Sequence, residues 1–420
     1  MMIGTRLSSA LMPFRVRNYR CQWPSDLLTS WGFEMELLIL AWFVLTQTNS
    51  VLWMTAISSM PFVGTLLAPL IGTLGDRIGL RNLMCLMRAT YAVLALTMLA
   101  GAHMGWLTVP LAFAIAAASG LVKPSDIGVR SALVAETVSP GILTSAMGLS
   151  RTTSDSARII GALTGAGLFA AFGFVTAYVL VAVCYLLAFF FTWMIGQPDA
   201  AAPPESPEQV QVLPVASPWR DLVEGFRYVW RTPHILAGMW LAFLVNLTAF
   251  PLSNGLLPYV ARDVLGADQT VLGHLLASFA FGALCGSLLL TFGGFGMRPA
   301  RLMIYSTVSW YLCLLLFVSQ RTETFCMLAL FGAGLSQSLS MISLVLLLVQ
   351  TSERRLRGRV MGVRMLAIYS LPIGLVAAGW LIPRFGYPAV ATGYAASGLV
   401  LTVVIWLVWR RCLWQVQPSA

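Results

Sequence analysis

Charge is scarce in this chain. Only 10% of its 420 residues are Asp, Glu, Lys or Arg, three are histidine, and Lys123 is the sole lysine, while 58% are hydrophobic. A soluble fold of this size could not cover itself with so little polar surface, so a bilayer has to serve as solvent. Cysteine is sparse too. The seven cysteines form no C-x-x-C pair and no metal-ligand spacing. Cys85, Cys184, Cys285 and Cys313 read as small apolar packers, and metal or redox chemistry is not expected. No G-x-x-x-x-G-K-[ST] occurs, so ATP is excluded as a direct energy source. Nothing calls for a cofactor or marks an enzyme. The first twenty residues hold four arginines and no apolar run long enough for a signal peptide, so the first span is expected to act as the targeting signal.

What the chain has in abundance is apolar stretches. A hydrocarbon core of about 30 Å takes about 20 helical residues to cross, because every backbone N–H and C=O must be satisfied within the helix. Spans are predicted near Trp23 to Leu45, Trp53 to Leu74, Leu83 to His103, Trp106 to Gly128, Leu143 to Ala170 and Phe174 to Ile195. Six more lie near Ile235 to Leu257, Val271 to Phe292, Leu302 to Val318, Phe325 to Leu348, Val360 to Ile382 and Tyr387 to Trp409.

The net charge of +10 is placed in a way that argues against nucleic acid. Arginines gather before the first span (Arg6, Arg15, Arg17, Arg20) and in alternate gaps (Arg77 and Arg81; Arg130; Arg220, Arg227 and Arg231; Arg298 and Arg301; Arg354 to Arg359; Arg410 and Arg411). The other gaps hold single arginines or none. By the positive-inside rule, both termini and the central linker are expected in the cytoplasm.

The chain divides at Gln197 to Pro218, a stretch rich in Pro, Ala and acid that neither enters lipid nor sustains a helix. Beyond it, WRDLVEGFRYVWRTP puts Trp219, Leu222, Val223, Phe226, Val229 and Trp230 on one stripe, as expected of a helix lying on the membrane surface. The flanking halves echo one another: Met147-Gly148, Gly161 and Phe172-Gly173 recur as Met361-Gly362, Gly374 and Phe385-Gly386 at an offset of 213 to 214, and Gly72 recurs as Gly286. A duplication is expected, with a first half over residues 1–196, a linker with its interfacial helix over 197–232 and a second half over 233–420.

Between the second and third spans runs GTLGDRIGLR, from Gly72 to Arg81. It resembles the G-x-L-a-D-r-x-G-r-k signature of the major facilitator superfamily, with Gly72, Leu74, Asp76, Arg77, Gly79 and Arg81 matching and Leu80 where a basic residue is usual. A degraded copy, GGFGMR ending at Arg298, lacks the acid. The resemblance implies an all-α polytopic membrane protein, twelve transmembrane helices in two six-helix halves. It also implies that this loop latches the outward-facing state against the start of the eleventh helix, bringing Arg357, Arg359 and Arg364 into range, with Asp126 and Arg130 joining the network. The alternative is a charged hairpin that only sets topology.

On the fifth span, Gly161, Gly165 and Gly167 resemble the G-P-x-x-G-G pattern of exporter branches, except that Ala162 stands at the proline. A packing hinge and ordinary small-residue packing both fit. Segments along the whole chain, among them KPSDIGVRSALVAETVSP and ERRLRGRVMGVRM, resemble the enterobactin-exporter and macrolide-efflux-like branch. Expected from this is a secondary active transporter in the bacterial inner membrane, exporting amphipathic small molecules (siderophore-like metabolites or drugs) in exchange for protons, functional as a monomer. An importer or lysophospholipid flippase of the same fold is the alternative, and a non-transporting receptor is disfavoured.

A charge at mid-bilayer costs about 3 kcal/mol or more, so buried ionisable groups mark cavities or partners. Glu34 lies about three helical turns beyond Trp23. Glu36 points to nearly the opposite face, so at most one of the two lines the cavity; the resemblance implies Glu34, since family members often carry an acid at this place, and Glu34, having no base in its own helix, is expected to carry the proton. Asp26, nearer the cytoplasm, is open between a buried ionisable group and a helix-start residue in solvent. Arg151, Asp155 and Arg158 share a stripe on the fifth helix, forming either a structural triad or an anion site. Lys123 is open between binding a carboxylate or phenolate, pairing with Asp126 and snorkelling. In the second half Asn246, Phe250, Asn254, His274, Gln337 and Trp310 are the polar and aromatic candidates.

Overall fold

The computed structural model describes residues 12–67, 74–75, 77–196, 218–293, 298–353 and 356–415, nearly all of them helical. After a turn at Met12–Arg15, α1 is Arg17–Thr48, and α2 (Val51–Ser59) tightens into a 3-10 helix at Met60–Leu67. Then come α3 (Leu80–His103), α4 (Val109–Thr137) and α5 (Pro140–Trp193). After the linker, α6 is Pro218–Arg231 and α7 is Pro233–Phe250, which continues through π-helical turns at Pro251–Gly255 and Val260–Val264. The last six elements are α8 (Gln269–Gly293), α9 (Pro299–Ser319), α10 (Glu323–Thr351), α11 (Arg357–Ile368), α12 (Ser370–Phe385) and α13 (Tyr387–Gln415).

Among the described residues, ten helices are long and apolar enough to cross a membrane, and Val51–Thr65 is a shorter apolar one. One of the ten, Gly141–Trp193, is 53 residues long and breaks at Gly173 (φ 79°, ψ −177°) into two crossing arms. The break falls in the predicted gap between the fifth and sixth spans. That conformation is closed to residues with a Cβ, so a single glycine serves as the connection. Gly386, between α12 and α13, repeats it with φ 79°. With the break at Gly173 the described residues hold eleven segments long enough to cross, and the shorter Val51–Thr65 is the twelfth apolar one.

Contacts sort the chain into two compact units: Met1–Phe43 with Met60–Pro214, and Val44–Ser59 with Val215–Ala420. In the first unit α1 is fastened along α5. The Trp23 and Trp31 indoles donate to Thr153 and Thr164, each at 2.8 Å, and a Cβ at Gly161 would lie 2.8 Å from the Glu34 Cβ. Gly165 abuts Met35 in the same way, with 3.2 Å to its Cα. Gly167 does not join them: two positions beyond Gly165 it has turned off this face, and a Cβ there would meet nothing within 4 Å.

The second unit repeats the arrangement. A Cβ at Gly374 would fall on the Leu247 carbonyl oxygen, and Gly374 and Leu247 are the counterparts of Gly161 and Glu34 under the offset that relates the two halves of the sequence. Gly120 closes on the Met60 carbonyl just as Gly334 closes on that of Phe279. All eleven buried positions of α4 have buried counterparts at the repeat offset in α10, from Ala112 with Cys326 to Val134 with Leu348. For α3 and α9 the offset is 219, and there eight of the nine in α3 recur, from Leu83 with Leu302 to Met98 with Phe317. Correspondence of this extent requires a shared helix arrangement and not merely shared glycines.

On α6, Val229 is buried, whereas Val223, Phe226 and Trp230 present an exposed apolar face with the last two rings stacked at 5.9 Å. Gly225 lets α6 touch the backbone of Arg359 on α11, and Arg359 pairs with Glu224 at 2.7 Å.

Candidate functional site

The ionisable groups of the first unit fall into three clusters. The most buried one joins α1, α3 and α4. Arg88 donates to Asp126 at 2.6 Å and to Asp26 at 3.1 Å, and Arg130 donates to Asp126 at 3.1 Å with its Nε 3.6 Å from Asp26. The side chains of Arg88 and Asp126 are 0% exposed. Arg130 also reaches Ser30 and Ser154, each at 3.3 Å. Two acids and two bases balance, which is what allows burial where an unpaired charge would be prohibitive. Asp26 is therefore an interior ion-pair residue and not a solvent-facing helix start.

Arg88 is the residue that sequence reasoning missed. The available signal was an arginine two turns inside an apolar span, away from either end of α3.

The second cluster lies midway along α1. Glu34 is 27% exposed, and Arg158 of α5 stands beside it, with Nε 3.8 Å from Oε1. The basic neighbour that Glu34 lacks in its own helix is thus supplied by another. Asp155 pairs with Arg151 at 3.3 Å, so the stripe of three is divided between two partners. Lys123 makes no ion pair with Asp126; its ammonium sits 3.3 Å above the Phe33 ring centroid and 5.5 Å from that of Tyr91.

Glu36 forms the third cluster, facing away from Glu34 as the helical spacing demands. It is 6% exposed, and the hydroxyls of Tyr178 and Tyr185 donate to its two oxygens at 2.6 and 2.7 Å.

The corresponding places in the second unit are neutral. Thr307 and Ser340, the counterparts of Arg88 and Asp126, share a hydrogen bond of 2.6 Å. Lys123 corresponds to Gln337, Tyr91 to Trp310, Phe33 to Asn246 and Glu34 to Leu247. Asn246 donates to the Ala242 carbonyl of its own helix at 2.8 Å, and Phe250 meets Trp310 edge-on at 5.1 Å, whose indole donates to Ser253 at 3.2 Å. Asn254 lies in the π-helical turn after α7. His274 is tied to Glu323 at 2.8 Å.

Of the residues assigned to the latch, Gly72 and Asp76 lie outside the described residues. Arg77 is exposed. Gly79 precedes α3 with φ 84°. Arg81 donates to the carbonyls of Trp193 and Ile195, at 2.5 and 3.1 Å, capping the end of α5. Arg357 donates to the Ser352 carbonyl at 3.3 Å. Among the described residues, no group of His, Cys, Asp and Glu has the makings of a metal site.

A multi-pass helical membrane protein built from two six-helix repeats, with polar clusters buried inside one of them, has the architecture of a transporter and not of an enzyme. The family model of the Major Facilitator Superfamily matches residues 27–373, and the chain belongs to that superfamily. Solved structures agree on the fold. The nucleoside transporter NupG is 13% identical with a TM-score of 0.71, over 96% of this chain and 100% of that one. The POT family transporter PepTSo is 13% identical with a TM-score of 0.73, over 95% and 99%. A D-xylose-proton symporter is 11% identical with a TM-score of 0.67, over 92% and 96%. No curated protein matches the sequence.

Proposed function

We propose that this transporter is a proton-coupled exporter of amphipathic small molecules, working by alternating access. It would reside in a bacterial inner membrane with both termini cytoplasmic, and the siderophore and macrolide exporters it resembles suggest siderophore-like metabolites or drugs as cargo. The observation that carries the coupling is Glu34. Its side chain is 27% exposed, and the Arg158 Nε stands 3.8 Å from Oε1. Asp155 and Glu36 are both more buried and more tightly held. A proton carrier has to exchange with water, and Glu34 is the carboxylate of this set best placed to do so. Neutralising it lowers the cost of reorienting a charged site through the low-dielectric interior. Asp76, Arg77 and Arg81, with Arg357 and Arg359, are assigned to the latch that holds the outward-facing state.

Import is the second reading, and one observation favours it. Glu34 shares its surroundings with the cations Arg158 and Lys123. Protonating it strengthens that site for an anion, and two ligands that strengthen one another travel together.

The test is Glu34→Gln in inverted vesicles, read with anionic and cationic amphipathic dyes. The expected result is loss of accumulation driven by a pH gradient, with dye binding and gradient-independent exchange retained. If Glu34→Gln accumulates dye normally and Asp155→Asn does not, the proton belongs to Asp155.

A further inference from the structure

Among the described residues Lys123 makes no ion pair, although Asp126, Glu34 and Glu36 all lie within electrostatic range of it. It stands at the middle of α4, equally far along the helix from Val109 and from Thr137. Every other base described in the interior of the first unit is paired: Arg88 and Arg130 with Asp26 and Asp126, Arg151 with Asp155, Arg158 with Glu34. Among the described residues, no carboxylate oxygen comes within the 4.0 Å of an ion pair to the Lys123 ammonium. Glu36, the acid without a paired base, has both oxygens taken by Tyr178 and Tyr185.

What Lys123 does have is the face of Phe33, 3.3 Å below, with Tyr91 at 5.5 Å. A cation over a ring gains about 0.5–2 kcal/mol. That falls short of the cost of about 3 kcal/mol or more for a charge at mid-membrane. The residue as a whole is half-buried.

Nor does the fold require a cation there. In the second unit the same position of the same helix arrangement is Gln337. Packing alone therefore does not account for the lysine.

We infer that Lys123 is the counter-charge for an amphipathic organic anion, and that the carboxylate or phenolate of the transported molecule docks on its ammonium. A compact ammonium is a point charge that suits a singly charged head, whereas bidentate recognition of a phosphate favours the forked donors of arginine. The aromatic floor of Phe33 and Tyr91 suits an apolar, flat body beside that head. This rests on the transport reading in either direction.

Three probes of one shape and different charge test it on the purified protein in lipid nanodiscs: 1-naphthoate, 1-naphthylmethanol and 1-naphthylmethylammonium. By equilibrium dialysis, naphthoate is expected to bind about tenfold more tightly than the other two, a preference lost in Lys123→Gln and kept in Lys123→Arg. Equal binding of the three by the native protein, or an unchanged preference in Lys123→Gln, overturns the inference. Should Lys123→Gln fail to fold, the native preference and its retention in Lys123→Arg still decide. Flux of the same probes in proteoliposomes separates the two proposals. Flux without any preference for naphthoate sinks the anion site alone, whereas naphthoate binding without flux of any probe sinks the transport reading and leaves the site standing.

Discussion

Arg88 and Thr307 occupy the same place in the two repeats, and each bonds the residue that corresponds to the other's partner: Asp126 at 2.6 Å in the first, Ser340 at 2.6 Å in the second. One helix junction is thus ionic and its duplicate is neutral, though both are buried to the same degree. The charges are a property of the first repeat and not of the fold.

Exchanging the junction should show this. Arg88→Thr alone leaves two buried carboxylates to share Arg130, and should lower stability by about 3–5 kcal/mol. Adding Asp126→Ser leaves Asp26 and Arg130 as a balanced pair and should recover most of the loss. Thermal unfolding of the detergent-purified variants is the measurement, and a double variant no better than the single one would contradict it.

Close helix approach makes a graded prediction. Gly374→Ala places a methyl group on the Leu247 carbonyl, and Gly161→Ala places one 2.8 Å from the Glu34 Cβ. The first should cost about 1–3 kcal/mol, the second less, and Gly167→Ala nothing measurable. The yield of monodisperse protein should follow the same order.

The latch is tested by Asp76→Asn, which removes charge with little change in volume. Insertion and expression should stay near native while transport falls severely. Normal flux would reduce the motif to a topological signal.

The direction of coupling can be read from pH. If an anion docks at Lys123 while Glu34 takes the proton, naphthoate affinity rises as pH falls, the outcome that replaces export with import, and Glu34→Gln holds the high affinity at every pH. Arg158 and Asp155 of α5 and Lys123 of α4 also face this group, so Arg158→Gln serves as the control. Affinity that instead falls with pH is the behaviour of exchange and favours export.

Topology is settled by reporter fusions at Pro204 and after Trp414. Both should report the cytoplasm. An external location for either breaks the proposed orientation.

The spans were legible because length and hydropathy are local properties. The expected gap between Ala170 and Phe174 contains the break at Gly173, and the amphipathic stripe from Trp219 to Trp230 became α6. The division of labour among the charged residues was not. Arg88 meets Asp126 across 38 residues of sequence and Asp26 across 62, and Arg158 reaches Glu34 from another helix altogether. Periodicity tells which face of a helix a residue occupies, but not which neighbouring helix that face will meet. For the same reason Glu36 could be turned away from Glu34 on paper, while its two tyrosine partners could not be named.

The one-residue corner at Gly173 bears on how the chain enters a membrane. With no polar stretch between them, the two arms of α5 have nothing to rest at the membrane surface while one waits for the other. The unsatisfied backbone groups at the corner are sheltered only when both arms are in place. Residues 140–193 are therefore expected to insert as a single hairpin, and with φ 79° at Gly386 the same is expected of the last two spans.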